Sequence, residues 1–203
     1  DNTGGVTLEI GNADDTVITG SAGNDVITAS IDGAIVALDA LAVDAGDGAA
    51  DVLVVTNTAD ISTAIEGADY TNFEVIRTAV DQDVSLVAGI TAVQVLANGG
   101  ITLSGLDATN SDSITVTGNV TTDLTATLTD ATGTSDSVTL NLTSATAANN
   151  VDVAGVTVIG VETLNINATT GTAATDSDVT FFNADTNSLS AINLTGSADM
   201  TID

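Results

Sequence analysis

The sequence predicts an all-β chain, a parallel β-helix or β-solenoid of stacked strands with a short β-roll near its N-terminus. Three observations predict it. Residues 12–20 (NADDTVITG) and 21–29 (SAGNDVITA) superpose at a period of nine, and self-similarity at a fixed short period is the mark of a coiled, stacking chain. The apolar residues are mainly Val, Ile, Leu and Ala interleaved with Thr, which suits pleated, half-buried strands. Acidic turns also recur along the chain, each opening an apolar strand. A β-sandwich is the structural alternative, since short strands between regularly spaced turns suit it too.

Taken in order, residues 20–28 (GSAGNDVIT) fit the calcium-binding nonapeptide Gly-Gly-x-Gly-x-Asp-x-apolar-x, with Ser21 in place of the second Gly. The copy before it is degenerate, with Asp14 and Thr16 where Gly23 and Asp25 stand in the next. In such a unit Gly permits the turn, the apolar eighth position enters the core, and the Asp carboxylate joins turn carbonyls around calcium. Asp25 is therefore the leading ligand candidate, with Gly23, Asn24, Asp14 and Asp15 completing a first site. Gly-Asn-Asp is also ordinary turn chemistry. Residues 31–42 and 61–68 are Ala-rich without turn signals and are the only helix candidates, although loops or strands fit them equally. A third acidic turn at 44–55 (DAGDGAADVLVV) contributes Asp44, Asp47 and Asp51.

Alternating β-branched and polar residues then predict strands at 101–103, 114–117, 124–129, 138–142 and 164–167. Acidic clusters without Gly open strands at Asp112, Asp136 and the pair Asp176 and Asp178; Asx and Ser turns account for these as readily as calcium does. Segments 51–55, 72–77 and 90–95 recur in the same order as 136–140, 160–165 and 189–194, a larger duplication. Glu74 and Glu162 hold the same place within it. Each is either a solvent-facing strand residue or a calcium ligand joining adjacent strands. The organisation expected is a calcium-binding segment over 1–55, a first β-repeat over 56–130 and a second, continuous with it, over 131–203.

Composition removes most chemistry. The 203 residues carry 28 Asp and Glu against one cation, Arg77, for a net charge of −27, with no His and no Cys. Binding to nucleic acid or to an anionic membrane needs clustered Lys and Arg. Zinc sites of His or Cys, Cys nucleophiles and Ser-His-Asp triads lack their residues. An enzyme survives only as a carboxylate dyad on a β-helix, and few aromatic residues stand ready to grip a sugar: Tyr70, Phe73, Phe181 and Phe182. In a strand the last two rings point to opposite faces, one to the core and one outward. No apolar run approaches a membrane span. The opening residues show no basic segment followed by an apolar stretch, so the chain reads as a fragment of something longer. Such charge self-repels unless salt or bound cations neutralise it, and oxygen ligands alone favour calcium.

With these motifs in view, the chain resembles the calcium-binding C-terminal region of RTX-type bacterial S-layer proteins of the Caulobacter type. The resemblance spans essentially the whole chain and rests on 20–28, 44–55, 73–77, 131–136, 153–156 and 160–166. It implies an extracellular, cell-surface protein exported by type I secretion that folds as several calcium ions bind. It further implies self-assembly into a two-dimensional lattice, held to the outer membrane through a part outside this chain. The nonapeptide array is short and partly degenerate, which favours a repeated β-domain with calcium clamps over a toxin-like array. The function expected is therefore a structural, non-enzymatic surface-layer segment whose partner is itself, with no nucleic acid and no direct membrane insertion. The alternative is a calcium-stiffened repeat of an RTX adhesin or extracellular filament.

Overall fold

In a computed structural model of the chain the residues described are 4–10, 17–29, 41–96, 99–143, 151–169, 177–179, 188–197 and 200–202. Two compact units emerge, Asp1–Thr91 and Ala92–Asp203, and the boundary falls within the segment expected as 56–130.

The first unit holds β1 (Thr7–Glu9), β2 (Val17–Ser21), β3 (Val26–Thr28), β4 (Ala42–Gly46), β5 (Val52–Val55), α1 (Ala64–Ala68), β6 (Tyr70–Thr71), β7 (Val75–Thr78) and β8 (Gln82–Asp83). Odd and even strands part into separate sheets. The order β1-β3-β5-β7 forms one and β2-β4-β6 the other, and the strands pair in parallel. A chain that alternates between two parallel sheets is a solenoid, and the parallel pairing excludes the antiparallel sandwich held as the alternative.

What stacks the coils is a column of apolar side chains. Ile27, Leu53 and Ile76 lie in register across β3, β5 and β7, and all three are buried. Each contributes about 1.5–3 kcal/mol by leaving water. The nine-residue period survives for one coil. β2 and β3, its two strands, sit in opposite sheets, so two nonapeptides make one turn of the solenoid. The acidic turns are 19 residues after Val6, then 26 and 23 residues further on, measured from Asp25 to Asp51 and Asp51 to Glu74.

The second unit repeats the plan. Strands β9 (Ala92–Val95), β11 (Ile114–Val116), β13 (Ser137–Leu142), β15 (Thr163–Ala168) and β17 (Ala191–Gly196) form one sheet. Strands β10 (Ile101–Leu106), β12 (Val120–Leu128), β14 (Val153–Ile159), β16 (Ser177–Val179) and β18 (Met200–Ile202) form the other. Val93, Ile114, Leu140 and Ile166 stack in register and are fully buried. On the outer face of the same strands, amides form ladders between coils: Asn167 Nδ2 donates to Asn141 Oδ1 (3.2 Å) and Asn193 Nδ2 to Asn165 Oδ1 (2.9 Å).

Of the helix candidate across 61–68, only α1, about a turn and a half, is helical. Thr63 caps its N-terminus and Glu66 reaches back to complete a capping box, a local device whose extent the Ala content did not reveal. Residues 31–40 of the other helix candidate, and Phe181 and Phe182, lie outside the described residues. Among the described residues no helix is long and apolar enough to cross a membrane.

Candidate functional site

The acidic turns of the first unit line up as a ladder at the start of the odd-numbered strands. Val6 N–H donates to Asp25 Oδ1 (2.6 Å), Asp25 N–H to Asp51 Oδ1 (2.6 Å), and Asp51 N–H to Glu74 Oε2 (2.9 Å). Each carboxylate thus grips the backbone of the coil before it. Main-chain bonds run the other way, with Val52 N–H donating to Asp25 O (2.8 Å) and Val75 N–H to Asp51 O (3.0 Å). Hydrogen bonds to ionised acceptors contribute more than neutral ones, about 1.5–3 kcal/mol each.

Asp25 and Asp51 are fully buried, and their surroundings push them in opposite directions. Burial raises Asp25, yet the N–H groups of Ser21 and Val6 and the Ser21 hydroxyl outweigh it, holding its carboxyl below the usual range. Burial pushes Asp51 above the usual range; the N–H groups of Asp25 and Gly48 oppose that, while the charges of Glu74 and Asp25 add to the rise. The cause is visible in the partners, because Asp51 Oδ2 is buried with no hydrogen-bond partner. Glycine makes room for these groups. A Cβ on Gly20 would stand 2.5 Å from Asp25 Oδ2, and one on Gly48 2.5 Å from Asp51 Oδ2.

The second unit builds the same rung. Asp136 N–H donates to Glu162 Oε2 (2.8 Å), and Thr163 N–H returns to Asp136 O (3.0 Å). Asp136 Oδ2 is again buried without a partner, and Gly133 is the glycine against it, its Cβ position 2.5 Å from that atom. Glu74 and Glu162 therefore share a role as well as a place in the sequence: each closes on the acid one coil earlier. Asp112 lies on the coil before Asp136 but turns outward, accepting from the Ser137 hydroxyl (2.9 Å) and the Thr139 hydroxyl (3.1 Å). Asp112 and Asp136 line a cleft of about 520 Å³ together with Asp107, Asp130, Leu106 and Leu128. Thr132 donates both its hydroxyl and its N–H to Asp130, and these bonds hold that carboxyl below the usual range.

Other candidates stand elsewhere. Asp44 belongs to strand β4 rather than to the turn, and its Oδ1 accepts from Gly46 N–H (3.0 Å) and Asn72 Nδ2 (2.8 Å). Asp47 is exposed, and its N–H donates to Ser21 O (3.2 Å). Asn24 reaches forward one coil, its Oδ1 accepting from Ala49 N–H (3.1 Å) and Ala50 N–H (3.2 Å). Gly23 N–H donates to the Ser21 hydroxyl oxygen (3.2 Å), so the residue that departs from the nonapeptide consensus organises the turn. Asp178 lies on β16; Asp14, Asp15 and Asp176 lie outside the described residues. Ser21, Asp107 and Asp130 were missed by sequence reasoning. Ser21 carried a signal, four residues before Asp25 where a hydroxyl can bond the carboxylate, as it does at 2.9 Å.

Among the described residues no three acidic side chains converge as a ready-made metal cluster; the acids are strung along the stack. The donor set still fits a hard cation. Asp51 and Asp136 each retain a buried, unpartnered carboxylate oxygen beside a glycine, and oxygen is the donor calcium takes.

Fold and site together define, in each unit, a parallel β-solenoid whose coils are cross-linked by stacked acidic turns. No model of a known protein family matches the chain, and no curated protein matches it.

Proposed function

We propose that this chain is a structural segment of a bacterial surface layer, a calcium-stabilised β-solenoid that self-assembles outside the cell. The observation that carries the reading is the acid ladder. Asp25, Asp51 and Glu74 stack through backbone bonds, Asp136 and Glu162 repeat the rung, and one oxygen of Asp51 and of Asp136 stays unpartnered. These residues would hold the ions, and calcium bound there would supply the positive charge that a chain of net charge −27 lacks. Where calcium is scarce, carboxylate repulsion opposes coil stacking; at extracellular calcium levels the opposition is relieved. Folding is thereby tied to location. Carboxylates of neighbouring molecules sharing ions would extend the same bridge into a lattice. The engagement of the ladder carboxylates with backbone N–H groups supports a structural role over a catalytic dyad, which needs acids free to exchange protons with a substrate.

The test is a calcium titration of chelator-stripped protein, followed by size-exclusion light scattering with magnesium and sodium controls. Contraction of the monomer and then rising mass with calcium is the expected result. A compact monomer of constant mass, indifferent to calcium, would overturn the reading.

A further inference from the structure

Away from the ladder, the first unit buries a second pair of oxygen atoms that no donor of the protein satisfies. Past the end of β5 the chain turns around Asp60. Thr56 N–H and Asn57 N–H both donate to Asp60 Oδ2 (3.1 and 3.0 Å), and Asp60 N–H closes the turn on Asn57 O (3.0 Å). This wrapping fixes the carboxylate. Asp60 is 2% exposed, and its other oxygen, Oδ1, is buried without a hydrogen-bond partner.

Gln82, on β8 and 3% exposed, meets the same turn. Its Nε2 donates to Asp83 O (2.8 Å) and to Ile61 O (3.4 Å), the carbonyl of the residue that follows Asp60. Two carbonyl partners settle the amide orientation, because the reverse flip would set oxygen against oxygen. Gln82 Oε1 is then left buried and unpartnered. Both orphaned atoms are acceptors, so neither can satisfy the other. Water could donate to each of them, but it would leave the carboxylate's charge unneutralised in a buried setting, which is the costlier deficit. A buried carboxylate oxygen and a buried amide oxygen, both without partners, are donors of the kind a hard cation takes.

We propose that Asp60 and Gln82 are ligands of a buried structural cation of the oxygen-seeking class, calcium foremost, with carbonyl oxygens of the same turn available to complete its shell. Neither residue belongs to a nonapeptide or to an acidic Gly turn, so the site stands independently of the ladder and of the surface-layer reading. Its effect is local: it ties the turn after β5 to β8, two segments that otherwise meet here through the Gln82 amide.

The experiment uses the full chain, stripped with chelator and titrated with calcium by calorimetry. Denaturant unfolding is measured in parallel in chelator, in calcium, and in sodium at matched ionic strength. Asp60→Asn removes the charge and presents an amide donor toward Gln82. It is expected to bind one calcium fewer per chain and to be at least as stable as the parent in chelator. Gln82→Glu adds a carboxylate for the ion but replaces the Nε2 donor to Asp83 O and Ile61 O by an oxygen. The variant is expected to unfold more readily than the parent in chelator and to gain more from saturating calcium than the parent does, by about tenfold or more in the folding constant. Unchanged calcium stoichiometry in Asp60→Asn would overturn the proposal, as would a calcium-induced gain in Gln82→Glu no larger than the parent's, or equal stabilisation by sodium. Should Asp60→Asn not fold, the size of the calcium-induced gain in Gln82→Glu decides. Asp51→Asn separates the two readings: a loss of calcium there with none at Asp60 sinks this proposal alone, and the reverse sinks the ladder alone.

Discussion

Replacing Gly48 by Ala tests whether the acid ladder holds the coils together. The backbone at Gly48 is not in the left-handed region, so alanine carries no conformational penalty and by itself would stabilise by about 0.4–1 kcal/mol through the unfolded chain. The methyl group, however, would meet Asp51 Oδ1, stand 2.5 Å from Oδ2 and 2.7 Å from Cγ, against the roughly 3.5–4 Å at which carbon contacts are comfortable. A short side chain cannot bend away at constant hydrogen bonding, so the carboxylate must leave the Asp25 N–H it holds at 2.6 Å. Losing a hydrogen bond to a charged acceptor costs about 1.5–3 kcal/mol, and stranding the donor puts the value toward the top of that range. Net of the alanine gain, about 2 kcal/mol of destabilisation is expected, close to thirtyfold in the folding constant. Urea unfolding reads it as a lower midpoint at unchanged slope. Gly133→Ala should also destabilise, its Cβ 2.5 Å from Asp136 Oδ2, whereas Gly99→Ala meets nothing within 4 Å and should show only the alanine gain. A Gly48→Ala protein as stable as the parent would refute the ladder as a source of stability.

Three further outcomes are expected. Glu162→Ala strands the Asp136 N–H that Glu162 Oε2 accepts at 2.8 Å and should cost about 1–3 kcal/mol, while Glu162→Gln keeps a neutral acceptor and should lose about half as much; equal losses in the two, read by urea midpoints, would mean that the charge of Glu162 rather than its hydrogen bond matters. Acid titration of stability in chelator should separate Asp25 from Asp51. Asp25 titrates low in the fold, so its contribution is present above the usual Asp range and lost as pH falls through its depressed value. Asp51 titrates high, so its contribution is present in acid and lost as pH rises through its elevated value. Asp25→Asn should flatten the loss of stability on acidification and Asp51→Asn the loss on the way to neutrality; identical pH profiles for parent and variants would contradict both assignments. Leu140→Ala opens a cavity between Ile114 and Ile166 in the stacked column and should cost about 2–5 kcal/mol by the same assay; a cost below 1 kcal/mol would mean that the column is loosely packed.

Much of the fold was legible because solenoid strands obey a local rule. In Val138-Thr139-Leu140-Asn141-Leu142, alternation alone assigns each side chain to core or surface, and β13 buries Val138, Leu140 and Leu142. The equivalence of Glu74 and Glu162 was legible too, since the same contact to the preceding coil imposes the same residue type at the same offset from the strand. Coil length was harder. The nonapeptide fixes a step that only the first coil keeps, because loops between strands can lengthen without disturbing the register that stacks them. Asp44 misled for a related reason: Asp-Ala-Gly-Asp-Gly reads as turn chemistry, yet pairing between Val17–Ser21 and Ala42–Gly46 draws it into a strand. Asp60 and Gln82 left no signature, since two residues distant in sequence acquire meaning only when burial removes their water.

The ladder is directional, and that bears on how a chain of this charge can fold at all. Asp25 and Asp51 each spend one oxygen on the coil before them and offer their own N–H to the acid of the coil after, so a rung is complete only when its successor is in place. Stability in a stack that contacts nearest neighbours grows coil by coil, and interface terms decide whether the next coil adds. In the first unit that term contains a favourable part, the bonds from Asp25 N–H and Asp51 N–H, and an unfavourable part, the burial of the Asp51 carboxylate and its repulsion by Glu74 and Asp25, which together raise it. A cation at the open oxygen of Asp51 would cancel the second part and leave the first intact. Since Asp136 presents the same open oxygen in a separate unit, one change in calcium level would act on both stacks at once. A sharp calcium dependence of unfolding, steeper than one ion per chain can give, is therefore expected from the whole chain, and a shallow single-site dependence would mean that the rungs act alone.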